Sequence, residues 1–293
     1  MIKGHKIYPG KMLKFRQLAS FAKRAAETAS ITTMANLPIW RGKRHGLAAE
    51  VVVSLTSYPP RFSTLHLTLR TLLRQSVRPD RLILWIARED IKSLPAKVRN
   101  LERDGVEIRQ CEDLRSFKKI IPALEAFPEA IIVTADDDLY YDREWLADLL
   151  ATVRFGALEV VCHRASRFPT SSLTMPLLSE WVQDVTDFES TKPSRDLVLS
   201  SGAGAVFAPR VLHADVLNRL LFNELTPMCD DTWLAWMIFR TGATIRTSGR
   251  PRSLRAWSRT NRGSLYVENQ AGRMDIYLSA MAARYGPLHL LKA

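Results

Sequence analysis

The stretch AIIVTADDDLYYDREW, residues 130–145, decides how the chain is read. Its opening, Ala130 to Ala135, is apolar and β-branched, as expected of a strand buried on both faces. Three carboxylates, Asp136, Asp137 and Asp138, follow without a break. Adjacent like charges repel and resist losing water, so a triplet at the rim of a buried strand needs either open solvent or a cation. Side chains alternate along an extended backbone, which puts Asp136 and Asp138 on one side and Asp137 on the other. Two carboxylates on one side form a hard, oxygen-rich site that suits Mg2+ or Mn2+ and leaves positions for water and substrate phosphates. A helix cap explains only one acid, and Asp142, just ahead of Arg143-Glu144-Trp145, is placed for that job. The spaced ligands and central glycine of an EF-hand are absent.

Outward from the triplet the chain alternates. Upstream, EVVVSLTSY (50–58), DRLILWIA (80–87) and VEIRQC (106–111) read as strands. Between and after them, STLHLTLRTLLRQS (63–76) reads as a helix with Leu65, Leu69, Leu72 and Leu73 on one face, SLPAKVRNLERDG (93–105) as a helix stopped by Gly105, and FKKIIPALEAF (117–127) as a third. Downstream, WLADLLATV (145–153) predicts a helix and LEVVCHRA (158–165) a strand. A loop-rich run from Ser166 to Ser194 leads to LVLSSGAGAVFAP (197–209), and the helix DTWLAWMIFRTG (231–242) closes the fold. Strands alternating with helices predict an α/β fold with a mainly parallel sheet flanked by helices, followed by an irregular second half. Such sheets bind ligands at the carboxyl ends of their strands, where the triplet sits.

Charge is unevenly spread. The chain of 293 residues carries a net charge of +12, yet residues 1–50 hold ten basic and two acidic side chains, a net +8, and RPRSLRAWSRTNRGS (250–264) holds five arginines and no acid. The remainder is close to neutral, a catalytic-type body with two basic attachments. In KMLKFRQLASFAKRAAETAS (11–30), Phe15, Leu18, Ala19, Ala22 and Ala26 share one helical stripe. This basic, weakly amphipathic segment either lies on an anionic leaflet or packs on the main domain. Cys111, Cys162 and Cys229 are odd in number and widely spaced, which argues against a disulfide framework and a zinc site and fits a reducing compartment. No apolar run approaches the roughly 20 residues of a spanning helix, and the N-terminus lacks the apolar core of a signal peptide, so a cytosolic location is expected. No helix-turn-helix, zinc finger or RNP-type strand supports a nucleic-acid-binding protein, the reading the charge alone would favour. The G-x-x-x-x-G-K of a P-loop is absent.

Taken in order, VVVSLTSYPPRF, LRSFKKIIPAL, IIVTADDDLYY and CDDTW resemble the bacterial GT-A glycosyltransferases with a DXD motif, over roughly residues 50–242. The resemblance implies a GT-A (Rossmann-like) sheet and metal-dependent transfer of a sugar from a nucleotide-diphosphate donor to a glycan or lipid-linked acceptor, in bacterial surface polysaccharide synthesis. Residues 1–45, read as a basic leader, and the arginine-rich tail fall outside the resemblance; one domain is expected over 46–293, with a donor half at 46–142 and an acceptor half with that tail at 143–293. Asp136 and Asp138 match the carboxylates that hold Mn2+ or Mg2+ against the donor diphosphate, Asp138 by direct contact and Asp136 at metal or ribose. Thr56, Ser57, Tyr58, Arg61, Lys118, Lys119 and Asp137 match the donor side. For the two lysines, a solvated helix face is the plain alternative.

Asp231, with Asp230, matches the base that takes the acceptor's proton in inverting members, and an N-cap accounts for one of these acids equally well. Gly202, Gly204 and Trp233 fall on the acceptor side, although the glycines also suit a turn before a strand. His163 reads as structural. Many relatives add a histidine ligand from the C-terminal region. Here the one histidine beyond Trp257 is His289, which leaves water, Asn269 or no third ligand as the alternatives. A sugar nucleotidyltransferase shares the sheet and the metal, but LTSYPPRF lacks the glycine-rich phosphate loop of that class. Peripheral contact with the inner face of an anionic membrane and no nucleic-acid partner complete the expectation.

Overall fold

The computed structural model describes residues 26–40, 42–251, 254–257 and 272–291. Residues 26–38 form a compact unit by themselves, a helix over 26–35. Its last turn is satisfied locally: the Asn36 N–H donates to the Thr32 carbonyl at 3.1 Å and the Leu37 N–H to the Met34 carbonyl at 3.3 Å. Most of the helix expected over 11–30 lies outside the described residues.

The body, from Ile39 onward, is built on a seven-stranded sheet. Its strands are β1 (Val51–Thr56), β2 (Arg81–Ala87), β3 (Val106–Cys111), β4 (Ile131–Thr134), β5 (Glu159–Cys162), β6 (Ala205–Phe207) and β7 (Thr244–Thr247), in the spatial order β7-β5-β6-β4-β1-β2-β3. All neighbours run parallel except β6, which is antiparallel to both β4 and β5. The helices are α1 (Phe62–Leu73), α2 (Ile121–Ala126), α3 (Trp145–Leu150), α4 (Arg219–Leu225), α5 (Asp230–Phe239) and α6 (Met274–Tyr285). The expected mainly parallel sheet flanked by helices is therefore present. Among the described residues no helix is long and apolar enough to cross a membrane.

Strand alternation sorts the core into two layers. Val51, Val53 and Leu55 of β1 pack on one side of the sheet with Leu65, Leu69 and Leu72 of α1 and with Trp145 of α3. Val52 faces the other side, with Phe117, Ile132 and most of α5. Each fully buried leucine in such a layer stabilises the fold by about 2–5 kcal/mol against alanine.

Several elements depart from their sequence reading. The helix expected over 93–105 is one α turn, Ala96–Arg99, tightened into a 3-10 segment, Asn100–Asp104, that ends at left-handed Gly105. The helix expected over 117–127 breaks at Ile120, because Pro122 is at the second position of α2 and brings no N–H. Lys118 and Lys119 thus belong to a 3-10 turn, Arg115–Lys119, and both are buried, not spread on a wet face. LVLSSGAGAVFAP divides into Leu197–Leu199, the turn Ser201–Ala203 and β6, with Gly204 at φ +120° where the turn joins β6. Beyond α5, which was expected to close the fold, come β7 and α6.

Candidate active site

β4 ends at Thr134, and the chain then turns at Asp137 and Asp138 before pairing Leu139–Tyr140 antiparallel with Arg255–Ala256. The alternation expected of Asp136, Asp137 and Asp138 assumed a strand and is overturned by this turn. Asp137 and Asp138 share one partner: the Arg61 guanidinium pairs with Asp138 and stands 3.5 Å from Asp137. Asp137 is 8% exposed and also accepts the Ser57 hydroxyl. Asp136 pairs instead with Lys119 Nζ at 2.8 Å.

The turn is held through its main chain. Thr68 of α1 donates to the carbonyl of Asp137 at 2.8 Å and accepts the Trp257 indole N–H at 2.7 Å. The Trp257 backbone N–H donates to the Asp138 carbonyl at 3.0 Å. The Tyr141 hydroxyl accepts the Asp136 N–H at 2.7 Å.

A second acidic pair comes from the first turn of α5, where the helix dipole favours negative charge. The N-cap there is Cys229, so neither Asp230 nor Asp231 serves as the cap. Asp230 instead meets Lys119 Nζ at 3.0 Å and accepts the Ser201 hydroxyl at 2.8 Å, while Asp231 accepts the Ser201 backbone N–H at 2.9 Å. Lys119 therefore stands between the two acidic pairs, fixed by its own carbonyl, which accepts the Ser54 hydroxyl of β1 at 2.6 Å.

The glycines have internal reasons. A Cβ at Gly202 would lie 1.7 Å from Asp136 Oδ2, and one at Gly204, whose φ is +120°, 2.5 Å from the Trp145 indole nitrogen. Both face side chains of this chain.

Charge in the cluster is unbalanced. Asp136, Asp137, Asp138, Asp230 and Asp231 are answered by ion pairs to Arg61 and Lys119 among the described residues. Burial and then the neighbouring Asp138 push Asp137 up to about 7, against Arg61 and Ser57. Burial and Asp230 push Asp231 up to about 7, against Lys119. Burial and Asp136 also raise Asp138. Burial would lower Lys119, but Asp136, Asp230 and Asp231 outweigh it and hold the ammonium well above its ordinary value. Crowded hard-oxygen donors short of positive charge fit a divalent cation. No group of three or more His, Cys, Asp or Glu side chains poised as a metal cage occurs among the described residues.

Of the residues singled out from sequence, Ser57, Arg61, Lys119, Asp136, Asp137, Asp138, Gly202, Asp230 and Asp231 converge here. Others do not. Lys118 pairs with Asp113 at 2.7 Å, away from the cluster. Trp233 is fully buried, with its indole N–H on the Val216 carbonyl, and cannot meet an acceptor. The Thr56 hydroxyl is spent on the Trp85 carbonyl at 2.8 Å, and Tyr58 is exposed. His163 bridges Ser248 and the Trp145 carbonyl, a structural role as expected, and His289 bonds the Ser172 carbonyl. Asn269 and most of the arginine cluster lie outside the described residues. Sequence reasoning missed Thr68, Tyr141, Ser201 and Trp257. Only the second tyrosine of DLYYD, hard against the acids, offered a signal.

No protein-family model matches the chain, and no curated protein matches it. Solved structures do. The mannosyltransferase PcManGT from Pyrobaculum calidifontis, in complex with GDP-Man and Mn2+, is similar over 91% of this chain and 74% of its own, at 16% identity and a TM-score of 0.52. GalNAc-T7 with UDP, GalNAc and Mn2+ is similar over 69% of this chain and 42% of its own, at 14% identity and 0.44. A 4-diphosphocytidyl-2C-methyl-D-erythritol synthase from Anaerococcus prevotii is similar over 76% and 96%, at 16% and 0.45. The first likeness establishes the fold; the other two are too distant to add to it.

Proposed function

We propose that the chain is a metal-dependent glycosyltransferase that moves a sugar from a nucleotide-diphosphate donor to a glycan or lipid-linked acceptor. One observation carries the reading: Asp136 of the triplet and Asp230 of the α5 pair, 94 positions apart in the chain, meet across Lys119 at the carboxyl edge of the sheet.

Asp138 and Asp136 would hold Mn2+ or Mg2+, which supplies Lewis-acid stabilisation of the charge that develops on the departing diphosphate. Asp137 stays on Ser57 and Arg61 and orders the donor-side loop after β1. Arg61 adds a fixed cation beside the phosphates.

Asp231 is the base. Its carboxylate accepts the proton of the acceptor hydroxyl as that oxygen attacks the anomeric carbon and the bond to the diphosphate breaks, which inverts the centre. A carboxylate raised to about 7 is poised for this at neutral pH, and the Ser201 N–H fixes one of its oxygens. The basic residues 1–50 favour an acceptor at an anionic membrane surface, in synthesis of a surface polysaccharide at its cytosolic face.

The test is a thermal-shift panel of UDP-, GDP-, CMP- and dTDP-sugars with and without Mn2+. One donor should raise Tm only when the cation is present, and Asp138→Asn should abolish both that shift and turnover without unfolding the chain. An Asp138→Asn variant as active as the parent removes the proposed metal site.

A further inference from the structure

Three successive carbonyls of the turn that precedes β6 are each caught by a side chain from the segment that carries the acidic triplet. The Thr134 hydroxyl donates to the Ser201 carbonyl at 2.8 Å. The Tyr141 hydroxyl donates to the Gly202 carbonyl at 2.6 Å, and the Trp145 indole N–H donates to the Ala203 carbonyl at 2.8 Å. Thr134 sits just before the bend through Asp136, Asp137 and Asp138, and Tyr141 and Trp145 follow it. The caught turn faces both acidic pairs, since Ser201 binds Asp230 and Asp231 and Gly202 lies against the Asp136 carboxylate.

Tyr141 is the central member. It is 4% exposed, its ring lies 4.6 Å from that of Trp145, and its oxygen both receives the Asp136 N–H and donates to the Gly202 carbonyl. A buried phenol engaged as acceptor and donor at once fixes two main-chain atoms relative to each other more tightly than either bond alone. Nothing in the proposed reaction needs that hydroxyl as an acid or a base.

We infer that Tyr141 is a positioning residue, and that the 201–203 turn it holds gauges the separation between the metal-binding Asp136 and the base Asp231. This rests on the function proposed above. Removing the hydroxyl frees the Asp136 main chain and the Gly202 carbonyl together, so the carboxylate loses its fixed orientation before any ligand is lost.

The experiment is a titration of the full chain with Mn2+ alone, followed by water-proton relaxation well below Tm, with Tm recorded for every variant. Tyr141→Phe keeps the ring and should weaken Mn2+ binding about tenfold, the usual effect of losing an outer partner of a metal ligand. Leu278→Ala, on the buried side of α6, serves as a control that lowers Tm without touching the turn. A Tyr141→Phe chain with parental Mn2+ affinity overturns the inference, and so does an equal weakening in Leu278→Ala. A parental chain that ignores Mn2+, or an Asp138→Asn chain that binds it normally, overturns the functional reading instead and takes this one with it.

Discussion

Lys119 and Lys118 are adjacent in sequence and opposite in fate. The 3-10 turn that carries them sends Lys119 between Asp136 and Asp230 and Lys118 to Asp113. Sequence periodicity cannot distinguish two such neighbours, because a helix and a 3-10 turn distribute side chains differently and Pro122 decides which one forms. The acids were legible for the opposite reason: clustered like charges beside apolar runs are costly, so their pattern points to a compensating partner. Tyr141 and Ser201 were not legible, since a lone hydroxyl carries no such cost until it is buried. Asp231 yields a prediction at this scale. Burial and Asp230 push it up to about 7, so the reactive carboxylate is depleted as pH falls through that value. The profile of kcat/KM against pH should have an acidic limb near 7, falling about tenfold per pH unit below it. Asp231→Asn should remove the activity that defines the limb, and a flat parental profile from pH 5 to 8 would exclude Asp231 as the base.

At the scale of elements, β1 to β4 were readable because each is a β-branched run between turn signals, with α1 showing its leucine face directly. β7 was not, because its sequence, TIRT, places an arginine inside the fold. That arginine, Arg246, is satisfied by Glu159 of the neighbouring β5, at 3.0 Å and 2.9 Å, and Arg154 closes on the same carboxylate. The antiparallel sense of β6 was also hidden, since strand direction depends on the path the chain takes between β5 and β6. The Glu159 cluster ties the outermost strand to the sheet and has a pH signature. Opposed by burial but dominated by Arg154 and Arg246, Glu159 is held down to about 2. A lowered carboxylate contributes stability that is complete above its ordinary value near 4.5 and is lost as pH falls toward 2. Glu159→Gln should therefore cost about 3 kcal/mol at pH 7, the order for one partner lost from a buried pair, and much less at pH 3. Urea melts of both chains at the two pH values check this; an equal gap at both would mean that the cluster does not depend on the charge.

For the molecule as a whole, composition spoke clearly about where charge lies: net +8 in residues 1–50, five arginines over 250–264, and a body near neutrality. If the basic beginning meets an anionic leaflet, the chain should sediment with phosphatidylglycerol vesicles at about 0.1 M salt, where charges act across roughly 10 Å, and be released as the salt is raised severalfold. Equal binding to neutral phosphatidylcholine vesicles would argue for an apolar contact instead. The sheet and the acidic clusters were both legible at this scale, but their meeting point was not. That depended on Lys119, whose neighbours come from β1, the acidic turn and α5. One ammonium thus answers to two distant stretches of the gene, so inherited changes at either are tolerated only in step with the other.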